Sequence, residues 1–331
     1  MYKIIISAYN EENIIYTTLK SNIKHASETI VIDDGSTDNT WNEMNRFFID
    51  FPNIGSKIIR MKKNGKKILS IKAILKKLSS SIKYVILLDA DSTLSASETT
   101  LKNLCKKLEK DNLSAASFRI MVKNRKSILG KLFNIESDIR EFWNSFVSTC
   151  YKLRCVPGGG SIFKRDILEK ALVNHSGEFY REDLETTAII IENKKRIGYF
   201  PNIVSKTLVP SNVFDSLKQR IRWEAGVMRV YIRKRNFYIK NIFSFDRHAF
   251  LWILEMIGWI LFPLFLFSLI SKPTVFFFSY FGSLGYVIMS INGKSKNHFP
   301  LIFVYPLFYL INTSIARIAS LGWLIKYYFK R

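Results

Sequence analysis

The sequence predicts an α/β domain built on a mostly parallel sheet, followed by apolar C-terminal helices suited to a membrane. Three observations carry this reading. Over the first part of the chain, short apolar runs that end in acidic or amide turns alternate with helical patterns, as they do when crossover helices join parallel strands. From about Phe250 onward, FLWILEMIGWILFPLFLFSLI, TVFFFSYFGSLGYVIMSI and FPLIFVYPLFYLINTSIARIASLGWLI are each long enough to cross a bilayer. The 331 residues carry 50 Lys and Arg against 27 Asp and Glu, a net charge of +23, which suits nucleic acid, an anionic membrane surface or a phosphorylated substrate.

The elements follow in order. KIIIS is a β-rich run, followed by the polar turn AYNEEN and a helical pattern through Leu19. ETIVIDDGSTDNT repeats the arrangement, with a strand from Thr29 to Ile32, an acidic turn and a helix from about Thr37 capped by Ser36 or Asp38. SKIIRM and YVILLDADS continue the series, with a Lys-rich helix from Lys66 to Leu78 between them. Ligands of such sheets bind outside the carboxyl ends of the strands. Asn10, Glu11, Asp33, Asp34, Asp89 and Asp91 all fall there.

Hydropathy divides the chain into residues 1–240, with a cationic amphipathic membrane-surface stretch at 210–240, and a membrane part of about three segments at 248–328. The first apolar run is too short for a signal peptide. The catalytic part is therefore expected in the cytoplasm, on a multi-pass protein of the cell membrane. Cys105, Cys150 and Cys155 show no metal spacing and fit a reducing compartment. The cations gather beside the apolar segments while the turns that would meet a ligand are acidic, so a nucleic-acid partner is not expected.

Asp89 and Asp91 end an apolar run, where an uncompensated carboxylate pair is costly. A divalent cation, Mg²⁺ or Mn²⁺, held with a substrate diphosphate would offset that cost. The alternative is that they cap the next helix. Glu182, Asp183 and Glu185 likewise suit either acid–base chemistry or the positive end of a helix.

SAYNEENI, VIDDGSTDNT, KKNGKKILSIKAIL, LLDADSTL, CVPGGGSIFKRDIL, YREDLETTA and KQRIRWEAG occur in an order and spacing that resembles the processive family 2 glycosyltransferases, the group of cellulose, chitin, hyaluronan and poly-N-acetylglucosamine synthases. The resemblance spans roughly residues 1–230. It implies a GT-A fold, Rossmann-like with a mixed, mostly parallel sheet flanked by helices, and C-terminal transmembrane helices. It also implies an inverting, metal-dependent transfer from a nucleotide-diphosphate sugar, a UDP-sugar, to a growing glycan or lipid-linked acceptor. By that resemblance Ala8, Asn10, Glu11, Asp33 or Asp34, Lys66 and Asp89 surround the nucleotide, Asp91 binds the metal, and Gln219 and Arg222 meet the donor. Asp183 is the base, and Gly159, Glu182 and Trp223 face the acceptor.

Alternatives stay open on several of these. Arg220 and Arg222 also read as a basic membrane-proximal face, Trp223 as an interfacial anchor, and the Gly158–Gly160 run as plain turn chemistry. Glu255 and Arg317, inside apolar segments, either line a path for glycan or lipid or pair structurally. No spanning segment is read before the catalytic part, and three spans would put KYYFKR outside, against the usual charge bias. Single-sugar transfer to a polyprenyl phosphate or lipid, and a non-catalytic membrane assembly subunit, are the competing functions.

Overall fold

A computed structural model describes residues 1–177, 181–291 and 299–329. Its strands are β1 (Tyr2–Ala8), β2 (Thr29–Asp33), β3 (Lys57–Arg60), β4 (Tyr84–Asp89), β5 (Thr93–Ser95), β6 (Ala115–Val122), β7 (Ser161–Lys164) and β8 (Ile197–Thr207). They form one sheet in the order β3-β2-β1-β4-β7-β6-β8-β5. β1 to β4 are parallel, and β7 runs antiparallel to β4 and β6. Helices α1 (Ile15–Ser21), α2 (Thr40–Asp50), α3 (Lys66–Leu75) and α4 (Glu98–Lys110) alternate with the first strands, and α6 (Arg165–Val173) and α7 (Glu182–Glu192) follow β7.

The central parallel strands β1, β2 and β4 are apolar at most positions because such a strand is covered on both faces. Ile4, Ile6, Val31, Ile86 and Leu88 accordingly lie in one buried cluster with Met44, Phe47, Leu101 and Phe118. Each parallel strand therefore delivers its last, polar residues to the same edge.

Two local expectations change. Helix α2 starts at Thr40, not near Thr37, and its N-cap is Asn39. Ser36 Oγ instead accepts the Asn10 N–H at 3.0 Å, and Asp38 bonds the Glu12 and Thr40 N–H groups at 3.3 and 3.0 Å. Ser36 is thus taken up by the β1 loop, while Asp38 ties that loop to the first residue of α2. Asp89 and Asp91 cap no helix either: β5 follows them, and α4 is capped by Ser97, whose hydroxyl accepts the Thr100 N–H at 3.1 Å.

Compact packing divides the chain differently from hydropathy. One unit comprises Met1–Met121 and Tyr151–Leu208, the other Val122–Cys150 and Val209–Arg331. The second unit is helical: α5 (Ile128–Ser148), α8 (Val213–Arg233), α9 (Arg235–Ile242), α10 (Arg247–Ser271), α11 (Pro273–Ile291) and α12 (Phe299–Phe329). In it Leu132, Ile135 and Ile139 of α5 pack with Leu284, Val287 and Ile302 of α11 and α12. Helix α10 continues through the proline at position 263.

Among the described residues, two stretches are long and apolar enough to cross a membrane, Thr274–Ile291 in α11 and Pro300–Gly322 in α12. One face of α12 is polar. Arg317 Nε donates to Glu224 Oε2 of α8 at 3.1 Å, and Asn312 lies 3.5 Å from Ser216 Oγ. Ser216, Arg220 and Glu224 recur every fourth residue and so share the buried side of α8. Glu255 accepts the Tyr231 hydroxyl at 2.5 Å. Both intramembrane charges read from the sequence thus have structural partners. Lys330 and Arg331 of KYYFKR lie outside the described residues.

Candidate functional site

The first unit assembles its site from strand ends. Ala8 is buried, and its carbonyl accepts the Asp34 N–H at 2.8 Å, so it contributes backbone. Asn10, in the left-handed region at φ 56°, accepts the Thr37 N–H at 3.0 Å and ties the β1 turn to the β2 turn. Beside it, burial first and then Asp91 and Asp89 push the Glu11 carboxyl up to about 7.

Asp33, the last residue of β2, and Asp34 after it are both buried. Asp33 accepts the Ser36 N–H at 2.9 Å and pairs with Arg60 at 3.1 Å. Asp34 accepts the Gly65 N–H at 3.0 Å and the Ser70 hydroxyl, while burial raises its carboxyl above the usual range. It thereby pins the loop that opens α3. Gly35, at φ +73°, lies against the Lys63–Asn64 backbone with no room for a Cβ, which is why a glycine stands there.

The two lysines opening α3 diverge. Lys66 has φ 63°, and its amine donates to the Gly177 carbonyl at 3.3 Å. Lys67 is the lysine whose amine reaches the Asp89 carboxylate, and it also donates to the Gly158 carbonyl at 3.2 Å. Burial alone would lower the Lys67 pKa, but Asp89 and then Glu182 and Asp183 outweigh it and hold the amine charged. Sequence reading passed Lys67 over. The sequence shows only the asparagine-glycine turn; the left-handed backbone of Lys66, which leaves the Lys67 side chain to reach Asp89, is set by the fold.

Asp91 accepts the Thr207 hydroxyl at 2.9 Å and the Ser92 hydroxyl at 3.1 Å; burial and then Asp89 raise its carboxyl. Gly159 lies directly against Asp89, where a Cβ would collide with the carboxylate, and Ser205 fixes its carbonyl at 2.5 Å. The glycine run is therefore a close-approach element and not only a turn.

Glu182 and Asp183 open α7. Their helix-terminal character is real: Asp183 Oδ1 accepts the Leu184 N–H at 2.8 Å. Burial, then Asp183, raise the Glu182 carboxyl, with Lys67 opposing. Further groups adjoin Asp183. Burial first and then the neighbouring Asp183 carboxylate push the Cys155 thiol up, and Thr187 donates to the Asp183 carbonyl at 2.7 Å while accepting the Val156 N–H at 2.8 Å. Glu185 accepts the Ser176 N–H and hydroxyl at 3.0 and 2.6 Å, anchoring the entry to α7. A small cavity of about 20 Å³ opens among Lys67, Leu87, Gly158, Glu182, Asp183 and Thr186. Lys67, Asp89, Glu182 and Asp183 are thus brought together, with Asp91 and Glu11 beside Asp89.

Gln219, Arg222 and Trp223 lie on α8 of the second unit, Arg222 exposed and the other two half-buried. Arg220 between them is buried and bidentate on Glu136 of α5 at 3.1 and 2.6 Å, with its guanidinium 5.9 Å from the Trp223 ring centre. This is a structural ion pair, not an exposed membrane-facing cation.

The family model for glycosyl transferase family 2 matches residues 3–172. Over 340 residues the chain is 26% identical to the probable glycosyltransferase YdaM of Bacillus subtilis, covering 98% of this chain and 71% of that protein. It is 27% identical over 235 residues to a poly-beta-1,6-N-acetyl-D-glucosamine synthase of Staphylococcus epidermidis, covering 69% of this chain and 55% of the synthase. The chain thus matches about half the length of that relative. Among solved structures, the mannosyltransferase PcManGT from Pyrobaculum calidifontis, in complex with GDP-Man and Mn²⁺, superposes with TM-score 0.60 at 16% identity, over 96% of this chain and 86% of that one. That likeness is one of fold, the GT-A arrangement.

Proposed function

The chain belongs to glycosyl transferase family 2, and we propose that it is a membrane-bound inverting glycosyltransferase that moves a sugar from a UDP-sugar to a growing glycan or lipid-linked acceptor. One observation carries this reading: Lys67, Asp89, Glu182 and Asp183 converge against Gly158 and Gly159 at the end of β4. The names of the relatives make a UDP-N-acetylglucosamine donor the first to test. Helices α10, α11 and α12 would form the multi-pass membrane part, with the first unit in the cytoplasm.

A divalent cation, Mg²⁺ or Mn²⁺, fits the residues present. Glu11 and Asp91 are both raised by burial and by neighbouring carboxylates, whereas Lys67 already faces Asp89, which leaves hard oxygen donors with uncompensated negative charge. Among the described residues no three His, Cys, Asp or Glu side chains form a complete ligand set, so Asp91 would share the ion with diphosphate oxygens. When bound, the cation stabilises charge on the departing diphosphate.

Asp183 acts as the base. It accepts the proton of the acceptor hydroxyl as that oxygen bonds to the anomeric carbon, and the bond from that carbon to the diphosphate oxygen breaks on the opposite face. Lys67, held charged, supplies a cation at Asp89 beside the leaving group. Asn10, Asp33, Asp34 and Lys66 shape the nucleotide side, Gln219 and Arg222 add contacts to the donor, and Glu182 and Trp223 contact the acceptor, Trp223 through its ring face.

The test is nucleotide diphosphate release by the detergent-purified chain over a panel of UDP- and GDP-sugars with Mg²⁺ or Mn²⁺. Release with one donor, lost in Asp183→Asn while that variant still binds the donor, is the expected result. Undiminished release by Asp183→Asn removes it as the base, and no release with any donor and acceptor favours the assembly-subunit alternative.

A further inference from the structure

The positive charge of the chain is concentrated. From Lys57 to Lys83 there are ten Lys and Arg residues and no Asp or Glu. Arg60 pairs with Asp33 and Lys67 with Asp89. By contrast, Lys57, Lys62, Lys63, Lys72, Lys76 and Lys77 make no ion pair or side-chain hydrogen bond among the described residues.

These lysines occupy consecutive parts of the first unit: β3, the loop after it, and α3 with the turn that ends it. β3 is the terminal strand of the sheet, and Lys57 is exposed on it. Lys62 and Lys63 are exposed in the loop leading to α3. On α3, Leu69, Lys72 and Ala73 recur at the spacing of one helix face, with Lys76 at the C-cap and Lys77 just beyond it. Leu69 is 48% exposed in the middle of this stripe.

Two ordinary explanations account for only part of it. Lysines on an edge strand discourage strand addition, which covers Lys57 but not the helix. A solvated helix normally intersperses acids so that charges pair along it. Other helices of this unit do so: Glu98 with Lys102 at 2.7 Å on α4, and Arg165 with Glu169 at 2.8 Å on α6. α3 does not.

We infer that the β3–α3 face of the first unit seats on the anionic headgroups of a bilayer. The inference rests on the membrane part of the proposed function and not on its chemistry. Segment 57–83 contains no Phe, Tyr or Trp, whereas single-stranded nucleic acid and glycans are held by aromatic faces interleaved with charge. Cations around an exposed leucine match a headgroup layer with apolar chains beneath it. Attraction to anionic lipid extends about one Debye length, roughly 8 Å at physiological salt, so the face must lie at the surface to gain from it. Lys62 and Lys63 flank the loop that Asp34 pins and that presents Lys67 to Asp89. Lipid charge is therefore placed to order that loop.

The test uses the full chain in nanodiscs of phosphatidylcholine alone or mixed with phosphatidylglycerol, with lysine acylation read by mass spectrometry. Labelling of Lys62, Lys63, Lys72, Lys76 and Lys77 is expected to slow roughly fivefold in the anionic discs, the factor that about 1 kcal/mol of attraction per lysine implies. High salt should abolish the effect, while exposed Lys106 on α4 stays constant. In the triple variant Lys72→Gln, Lys76→Gln, Lys77→Gln, the protection of Lys62 and Lys63 should weaken. Equal labelling in both discs overturns the inference, as does protection by added RNA or an acidic polysaccharide in neutral discs without protection by anionic lipid. A chain that enters neither disc overturns the membrane reading, and this face with it.

Discussion

Arg220 and Arg222 stand two residues apart in one cationic motif, and the structure gives them opposite situations. Arg220 is 6% exposed and holds Glu136, itself 14% exposed, through two hydrogen bonds of 2.6 and 3.1 Å. Replacing it with methionine keeps most of the stem volume but leaves the carboxylate without its main partner. Breaking a buried pair in this way costs about 3–5 kcal/mol. Arg140 lies 3.8 Å from Glu136 and retains part of the compensation, so about 3 kcal/mol is the expected loss. In a unit of this size that lowers the melting temperature by roughly 6–12 °C. The assay is thermal unfolding of the full chain in one detergent, with Arg220→Met, Glu136→Leu, the double variant and Arg222→Met side by side. The double variant should recover most of the loss, because a hydrophobic pair removes the stranded charge. Arg222→Met should melt like the parent yet transfer poorly. An Arg220→Met protein that melts normally but has lost transfer would refute the structural assignment.

Two other predictions concern the first unit. Lys66→Gly removes a side chain from a left-handed backbone position and should raise stability by about 1 kcal/mol, whereas Lys67→Met should cut transfer on the order of a hundredfold; the reverse ranking in kinetics would return the principal role to Lys66. Glu11, pushed up to about 7 from 4.5, keeps in the folded state a proton that the unfolded chain has released, so metal-free stability should fall as pH rises through that window. Asp91 shifts the same way. Mn²⁺ needs both carboxylates ionised, so its stabilisation, read as a melting shift, should be larger at about pH 8 than at about pH 5; equal shifts would reject the metal site.

How much was readable follows from the range of each signal. The parallel strands were legible because burial on both faces leaves an uninterrupted apolar run, and the acidic ends of β1, β2 and β4 follow from that by topology alone. β5 to β8 were not read as strands, since β5 and β7 have only three and four residues and their pairing comes from distant chain. That α5 belongs with the C-terminal helices was invisible for the same reason: no local pattern marks Ile135 of α5 as a partner of Leu284 and Ile302, which it meets only because segments far apart in sequence fold together. Within the site, the difficulty was angular. Adjacent helical residues point about 100° apart, so composition identifies a lysine turn or an arginine motif but not which way each member faces. Lys66 and Lys67, and Arg220 and Arg222, were each separated by a backbone angle or by a partner on another helix. Such information resides in the packing and not in the segment, so the sequence names the residue types at the strand ends but not the partner that each cation takes.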